Sequence, residues 1–233
     1  MEKKKKENPL ISLIFSIIIP AIILSKFSSP DRLGVLPGFL IALAFPISFA
    51  IYNFIVTKKA GFIAILGFVS IFLTGIIGVF KFPSEWIAIK EASVPLLIGL
   101  AIVISLKTPF PLVKKFLYND ELLDIENIEH LLAENNNKEK LEKSLVKATF
   151  MLAGSFLISA ILNFTLAKVL IQSPSGTAQF NEELGQMTAL SYPVIALPCT
   201  IIMFFAFWYI FSSLKKLTGL KMEDLLSETL RNK

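Results

Sequence analysis

The sequence predicts an all-α integral membrane protein with six transmembrane helices and both termini in the cytoplasm. The chain has 233 residues, 54% of them hydrophobic, and a mean hydropathy of +0.68. These values exceed what a soluble domain with a wetted surface carries. A bilayer span needs about 20 mostly apolar residues. Six segments meet this need without a charge in their central turns, at about 9–27, 34–56, 61–80, 86–106, 146–171 and 188–212.

The basic residues indicate how these spans are oriented. The chain has 23 Lys and Arg residues. Five of them fall on the side opposite the termini: Lys26, Arg32, Lys81, Lys90 and Lys168. Because cytoplasmic segments carry the surplus of Lys and Arg, the amino terminus, the loop 107–145 and the tail 213–233 are expected inside. This surplus flanks the spans, so it favours the lipid bilayer and its anionic head groups as partners and excludes nucleic acid.

Residues 1–233 are predicted to form a single membrane domain, in which the loop 107–145 carries an amphipathic helix. Pro109 and Pro111 end the fourth span, since proline cannot continue a helix. Apolar residues then recur at helical spacing between acidic ones, at Leu122, Ile125, Ile128 and Leu132. Such a helix lies either on the bilayer surface or against the bundle. In the tail, a short interfacial helix is expected from Leu220, Leu225, Leu226 and Leu230.

An internal echo predicts a 3+3 inverted repeat. The segment 50–54 (AIYNF) reappears as 160–164 (AILNF), so Asn53 corresponds to Asn163. The second span runs towards the cytoplasm and the fifth runs away from it, so duplication of three spans would give halves of opposite topology. A chance match between two apolar segments is the alternative.

Lys90 and Glu91 are the leading candidates for a polar site within the spans. With Trp86 as an interface anchor, both charges are expected about one turn below the outer interface. Neighbours on a helix point about 100° apart, so each of the two is expected to need a different partner. The alternative is that both are interface charges whose side chains extend to water.

The expected partners of Lys90 lie on the same side of the membrane. Glu182 and Glu183 precede the sixth span and are the candidate counter-ions. The other residues assigned to this site are Asn53, Asn163 and Lys168, and Tyr192 is the second interface anchor.

Small and polar residues at four-residue spacing form faces on three spans. These residues are Ala42, Pro46 and Ala50; Ser70, Thr74 and Gly78; and Ser155, Ser159 and Asn163. Such faces favour close packing of helices. The alternative is that Asn53 and Asn163 line a polar path. Kinks are expected at Pro46, Pro193 and Pro198.

The sequence carries no enzyme signature. It has no glycine-rich phosphate loop, no GxSxG elbow and no HExxH motif. His130 is the only histidine and Cys199 the only cysteine, so we expect no catalytic residues, no metal site and no cofactor. His130 is interpreted as a solvated surface residue.

Part of the chain resembles the intracellular septation protein A family. The residues that carry the likeness are Tyr52, Lys58-Lys59, Leu73-Thr74-Gly75, Ser84-Glu85-Trp86-Ile87 and Lys90, then Lys107, Pro109 and Pro111-Leu112, and later Asn163 and Phe180. The likeness covers about 50–118, while Glu91-Ala92 and Asn181 depart from the family pattern and indicate a divergent branch. The resemblance implies a bacterial inner-membrane protein of cell-envelope upkeep and septation.

Two functional hypotheses follow from these observations. The first is a non-enzymatic inner-membrane protein that acts through its helix bundle and through contacts with envelope or division proteins. The second is a small-solute secondary transporter or channel with a polar site near the outer face, which the repeat favours. A bundle of this size is also expected to form homo-oligomers, although no residue in the sequence identifies the interface.

Overall fold

The computed structural model describes residues 14–57, 62–108, 111–118 and 122–231. The secondary structure of these residues is helical, without a strand, and one antiparallel bridge joins Leu123 to Leu226. The helices are α1 (Ile14–Phe27), α2 (Val35–Thr57), α3 (Phe62–Val79), α4 (Glu85–Ser105), α5 (Leu112–Leu117), α6 (Ile125–Glu134), α7 (Lys138–Leu170), α8 (Ala178–Thr218), α9 (Met222–Leu225) and α10 (Glu228–Arg231).

Four of the described helices, α2, α4, α7 and α8, are long and apolar enough to cross a bilayer. The apolar segments Ile14–Phe27 and Val69–Val79 are shorter. Large apolar side chains are exposed along the long helices, including Trp208 and Val169 at 58% and 65%. This pattern is the reverse of a soluble surface and is expected where lipid is the solvent. The fold is therefore that of a multi-pass α-helical membrane protein.

Two of these helices widen into π-helical turns beside a proline. In α1, the turns Ile14–Ile18 and Ile23–Phe27 flank the α-helical turn that contains Pro20. In α8, the π-helical turn Tyr192–Ala196 contains Pro193. Proline lacks an N–H donor and its ring crowds the preceding turn, so the backbone adopts a wider turn there. Of the three prolines at which kinks were expected, Pro193 lies in a π-helical turn, whereas Pro46 and Pro198 lie in α-helical segments.

The described residues form two compact units, each with its own apolar core. The first unit lies within 1–94 and 160–196, and the second within 95–159 and 197–233. The first core consists of Leu24, Phe39, Ala42, Ile77, Ile87, Ala88, Ala167, Ile171, Phe180, Leu184 and Met187. The second consists of Val113, Leu123, Ile128, Leu132, Leu141, Leu145, Ala148, Leu152, Ala206, Ile210, Leu214 and Leu225.

In the first unit, the beginning of α8 packs closely on α1 and α2. A Cβ atom on Gly185 would lie 2.8 Å from the Ala21 carbonyl oxygen and 3.0 Å from the Ser25 nitrogen, so this contact requires glycine. Asn181 is 1% exposed, and its Nδ2 donates to the Val35 carbonyl oxygen at 2.8 Å. A buried amide is tolerated in this core because it is hydrogen-bonded.

In the second unit, α6 packs against protein. Its apolar residues Ile128 and Leu132 are fully buried beside residues of α7, α8 and α9. This helix was predicted to lie either on the bilayer surface or against the bundle, and in the structure it packs against other helices. The side chain of Asp124 caps α6 by accepting a hydrogen bond from the Asn127 nitrogen, as expected for a helix N-terminus.

Two of the helices extend beyond the segments predicted as spans. α7 begins at Lys138 and α8 extends from Ala178 to Thr218, so both continue well beyond the predicted spans. A span is predicted from apolar residues alone, but charged and amide side chains also form helices readily. The single helix predicted in the tail is instead two short turns, α9 and α10. Between them, the backbone around Leu226 pairs with Leu122 to Asp124.

Candidate functional site

The candidate site is built around Lys90, which α4 places in the first unit. Its side chain is 7% exposed, and Nζ lies 2.6 Å from Oε1 of Glu91. The same ammonium donates to Oγ of Ser70, on α3, at 3.2 Å. The ion pair therefore links α4 to α3 through a charge-assisted hydrogen bond, which is stronger than a neutral one.

The ammonium of Lys90 lies between α3 and α4. Ser70 stands nine residues before the end of α3, which is about 13 Å along the helix axis. Lys90 stands five residues after the start of α4, about 8 Å along its axis. The short turn 80–84 joins these two helix ends, and the hydrogen bond to Ser70 connects the two helices beyond that turn.

This geometry corrects one expectation about Lys90. The sequence argument required separate partners for Lys90 and Glu91, but the two form an ion pair with each other. Their Cα–Cβ bonds do diverge, yet the long lysine side chain has enough rotatable bonds to turn back to its neighbour. The depth of Lys90 below the outer interface stays a prediction.

An open apolar groove lies between α3 and α4 beside this ion pair. Its volume is ≈ 540 Å³, and Lys90 and Ser93 are the polar residues in its lining. The apolar lining consists of Leu73, Ile76, Ile77, Phe82, Trp86 and Ile89. Trp86 is 54% exposed, and its role as an interface anchor stays a prediction. Lys90 thus borders an open groove on the surface of the first unit.

The acidic residues predicted as counter-ions of Lys90 have other partners. Oε2 of Glu183 accepts from the backbone nitrogens of Gln172 and Ser173 at 3.0 and 2.9 Å, and Oε1 accepts from the Ser173 hydroxyl at 2.7 Å. Glu183 therefore fixes the loop between α7 and α8. Glu182 is exposed and accepts from Gln186 at 3.4 Å. The predicted pairing of Lys90 with either glutamate was wrong.

The remaining predicted site residues are placed separately. Asn163 is half-buried on α7, where it has an interaction partner, and Lys168 is exposed near the end of the same helix. Tyr192 is 52% exposed at the π-helical turn of α8. The side chain of Asn53 lies outside the described residues, as do Lys58 and Lys59.

The faces of small residues serve helix packing where the structure describes them. A Cβ atom on Gly78 would lie 2.3 Å from the Phe39 ring, so α3 meets α2 closely there. On α7, the Ser155 hydroxyl donates to the Cys199 carbonyl of α8 at 3.2 Å, and the Cys199 thiol donates back to the Ser155 carbonyl at 3.6 Å. These contacts were not predicted, although the four-residue spacing had indicated both faces.

The loop and the tail fold together into what we term the loop–tail module, residues 122–137 and 219–231. The Asp124 nitrogen donates to the Leu225 carbonyl at 3.0 Å, and the Ser227 nitrogen donates to the Leu122 carbonyl at 3.1 Å. Arg231 lies 3.8 Å from the Asp124 carboxylate. Asn137 attaches the module to α8 by donating to the Leu217 carbonyl at 2.9 Å. The sequence indicated each segment but not their pairing.

Tyr118 borders this module and carries the clearest electrostatic perturbation outside the spans. Partial burial, followed by the nearby Glu129 carboxylate, raises the pKa of the Tyr118 hydroxyl well above its usual value. The hydroxyl lies 3.5 Å from Glu129 Oε1. His130 is exposed and lies 3.7 Å from Glu134, as a surface residue would. Within the described part of the chain, no three His, Cys, Asp or Glu side chains come together as a metal site would require.

The described residues are all-helical, and their four long apolar helices are compatible with a multi-pass membrane protein that carries a buried ion pair at Lys90. Comparisons of the chain with family models, with curated proteins and with solved structures give no match.

Proposed function

We propose that the protein is a non-enzymatic, six-span protein of the bacterial inner membrane that serves cell-envelope maintenance or septation through contacts with other proteins. The likeness of 50–118 to the septation protein A family supports the envelope role. The surplus of Lys and Arg on one side supports cytoplasmic termini. With the shorter apolar helices of α1 and α3 counted as further spans beside the four long ones, the total is six.

The observation that carries this proposal is that the polar groups within the described helices are used to join helices. Lys90 joins Glu91 and Ser70, Ser155 joins Cys199, and Asn181 binds the backbone of Val35. Among buried polar side-chain atoms of the described residues, only Ser175 Oγ has no hydrogen-bond partner. Polar groups that are hydrogen-bonded to each other stabilise a helix bundle. Because these groups are used within the bundle, the loop–tail module is the surface that cytoplasmic partners would bind.

Deleting the encoding gene tests the envelope role. We expect longer cells with misplaced septa and greater sensitivity to detergent, and full recovery when the wild-type chain is supplied. The α6 variant Glu126→Arg/Ala133→Arg alters two exposed positions, so it should accumulate normally in membranes but fail to restore division. Normal division and detergent resistance in the deletion strain would refute the proposal.

Cysteine labelling tests the six-span arrangement. In a Cys199→Ser background, a cysteine at Ser144 should stay unlabelled by an impermeant maleimide in intact cells and react after permeabilisation. Reaction in intact cells would overturn the assigned topology. The inverted repeat is part of the same proposal. When spans one to three of an experimental structure are superposed on spans four to six, Asn53 should fall onto Asn163.

A small-solute transporter is the second candidate, and the burial of Lys90 within an apolar helix favours it. Charged residues within spans are costly and often belong to proton or ion pathways. Proteoliposomes containing the chain and an internal pH dye would then show proton flux that Lys90→Met abolishes. Flux equal to that of empty liposomes would leave the envelope role as the better proposal.

A further inference from the structure

A lysine is held at the seam between α7 and α8 in the second unit. Lys147 on α7 is exposed, and its Nζ lies 5.0 Å from the centroid of the Tyr209 ring on α8. Tyr209 is half-buried, and Ala148, Ala206 and Ile210 beside the contact belong to the core between the two helices. An aromatic face attracts a cation, so this contact restricts the orientations of the long lysine side chain.

The ammonium of Lys147 forms no ion pair within the described part of the chain. This distinguishes it from the basic residue one turn before it, because Lys143 pairs with Glu139 at 2.7 Å. An ammonium has three hydrogen-bond donors, and the Tyr209 ring carries no negative charge. The charge of Lys147 is therefore not neutralised by the residues that the structure describes.

Lys147 also marks the boundary between the charged and the apolar part of α7. Before it, α7 alternates basic and acidic residues, and after it 148–167 carry no charge. On α8 the uncharged run ends at Lys215, about two turns after Trp208 and Tyr209. Because Lys147 contacts Tyr209, the boundaries of the two helices lie at similar levels along the pair. Aromatic residues next to such a boundary are typical of a membrane–water interface.

We propose that the seam at Lys147 and Tyr209 binds the phosphate of an anionic phospholipid. The ammonium donates hydrogen bonds to the phosphate oxygens, and the Tyr209 ring holds the ammonium in position. The acyl chains lie along exposed apolar residues of α8 such as Phe205, one turn before Tyr209 and 58% exposed. This inference adds a binding site to the proposed function. It rests on the membrane-spanning arrangement of that proposal and not on the envelope role.

The surroundings of Lys147 favour a lipid phosphate over a free phosphate ion. One exposed ammonium gives a free ion a single charged contact, which is weak in water. A phospholipid adds apolar contacts along α8 to that charged contact. Lys215 and Lys216 bring further positive charge to the same end of α8, which favours an anionic lipid over a zwitterionic one.

Native mass spectrometry of the full chain in detergent, titrated with phosphatidylglycerol, tests the site. Lys147→Gln should bind this lipid about fivefold more weakly than the wild type, which is the contribution of one lysine near an anionic lipid surface. Lys143→Gln is the matched control, since it removes the same charge from the same helix, but one that Glu139 already pairs. It should change the affinity less than about twofold. Equal losses from the two variants would indicate a general charge effect and overturn the proposal.

Two further variants distinguish a lost site from a lost fold. Lys147→Arg keeps the charge and the contact with the ring, so it should bind within about twofold of the wild type. Tyr209→Leu removes the ring and should bind about two- to fivefold more weakly. If Lys147→Arg binds as weakly as Lys147→Gln, or Tyr209→Leu as tightly as the wild type, the proposed contact is refuted.

The source of the phosphate is tested in the same titration. Inorganic phosphate at the concentration of the lipid should leave phosphatidylglycerol bound, and phosphatidylcholine should bind more weakly than phosphatidylglycerol. Displacement by inorganic phosphate would show that a soluble anion is the ligand and would refute the lipid site. These measurements do not depend on cell division, so normal division in the deletion strain would refute the envelope role alone.

Discussion

Removing one member of the Lys90–Glu91 ion pair is expected to destabilise the protein more than neutralising both. Lys90→Met keeps most of the side-chain volume but leaves the Glu91 carboxylate, 23% exposed, without a cation. Breaking a buried pair from one side costs about 3–5 kcal/mol, and partial exposure of Glu91 places this case near about 3 kcal/mol. For a chain of this length that corresponds to a loss of about 6–12 °C in Tm.

The double variant Lys90→Met/Glu91→Gln removes both charges and should recover most of this loss, to within about 1 kcal/mol of the wild type. The assay is thermal unfolding in nanodiscs of one lipid composition. It compares the wild type, the single variants Lys90→Met and Glu91→Gln, and the double variant. Lys168→Met is the matched control, because Lys168 is exposed on α7 and its loss should change stability by less than about 0.5 kcal/mol. If the double variant loses as much unfolding free energy as the two single variants lose together, the ion pair contributes nothing to stability and the reasoning fails.

Three further predictions concern other contacts. Asn181→Ala removes a buried hydrogen bond to Val35 and should cost about 1–3 kcal/mol of unfolding free energy in the same assay. Gly185→Val places a side chain against the α1 backbone and should cost at least about 1–3 kcal/mol. Since folding raises the pKa of the Tyr118 hydroxyl, the folded state binds its proton more tightly than the unfolded state. Stability should therefore be complete below about pH 10 and fall above it, and Glu129→Gln should reduce that fall.

Each of these three has its own control. Gln179→Ala changes an exposed residue of the same helix and should leave the unfolding temperature unchanged, unlike Asn181→Ala. Gly154→Ala, where a Cβ would meet nothing within 4 Å, should be neutral or slightly stabilising; equal damage from both glycine variants would contradict the packing argument. A Tyr118 absorbance titration with a midpoint at the ordinary tyrosine value would contradict the third prediction.

The site was predicted in part. The sequence identified Lys90 and Glu91, because charges in an apolar segment are conspicuous. It did not identify their partners. Helix geometry gives the directions of the Cα–Cβ bonds, whereas the charged end of a long side chain can turn elsewhere. Glu182 and Glu183 were assigned to Lys90 by topology alone, and the structure shows Glu183 holding the loop at Gln172 and Ser173 instead.

The sequence by itself determined the class of this protein, because apolar length and composition decide which segments form helices in lipid. It also located the polar interruptions and the amphipathic pattern of α6. The tertiary structure alone decided which polar groups meet: Lys90 with Glu91 and Ser70, and the backbone at Leu123 with that at Leu226. Such pairings depend on how helices distant in sequence are placed against each other, and local residue patterns do not contain that information.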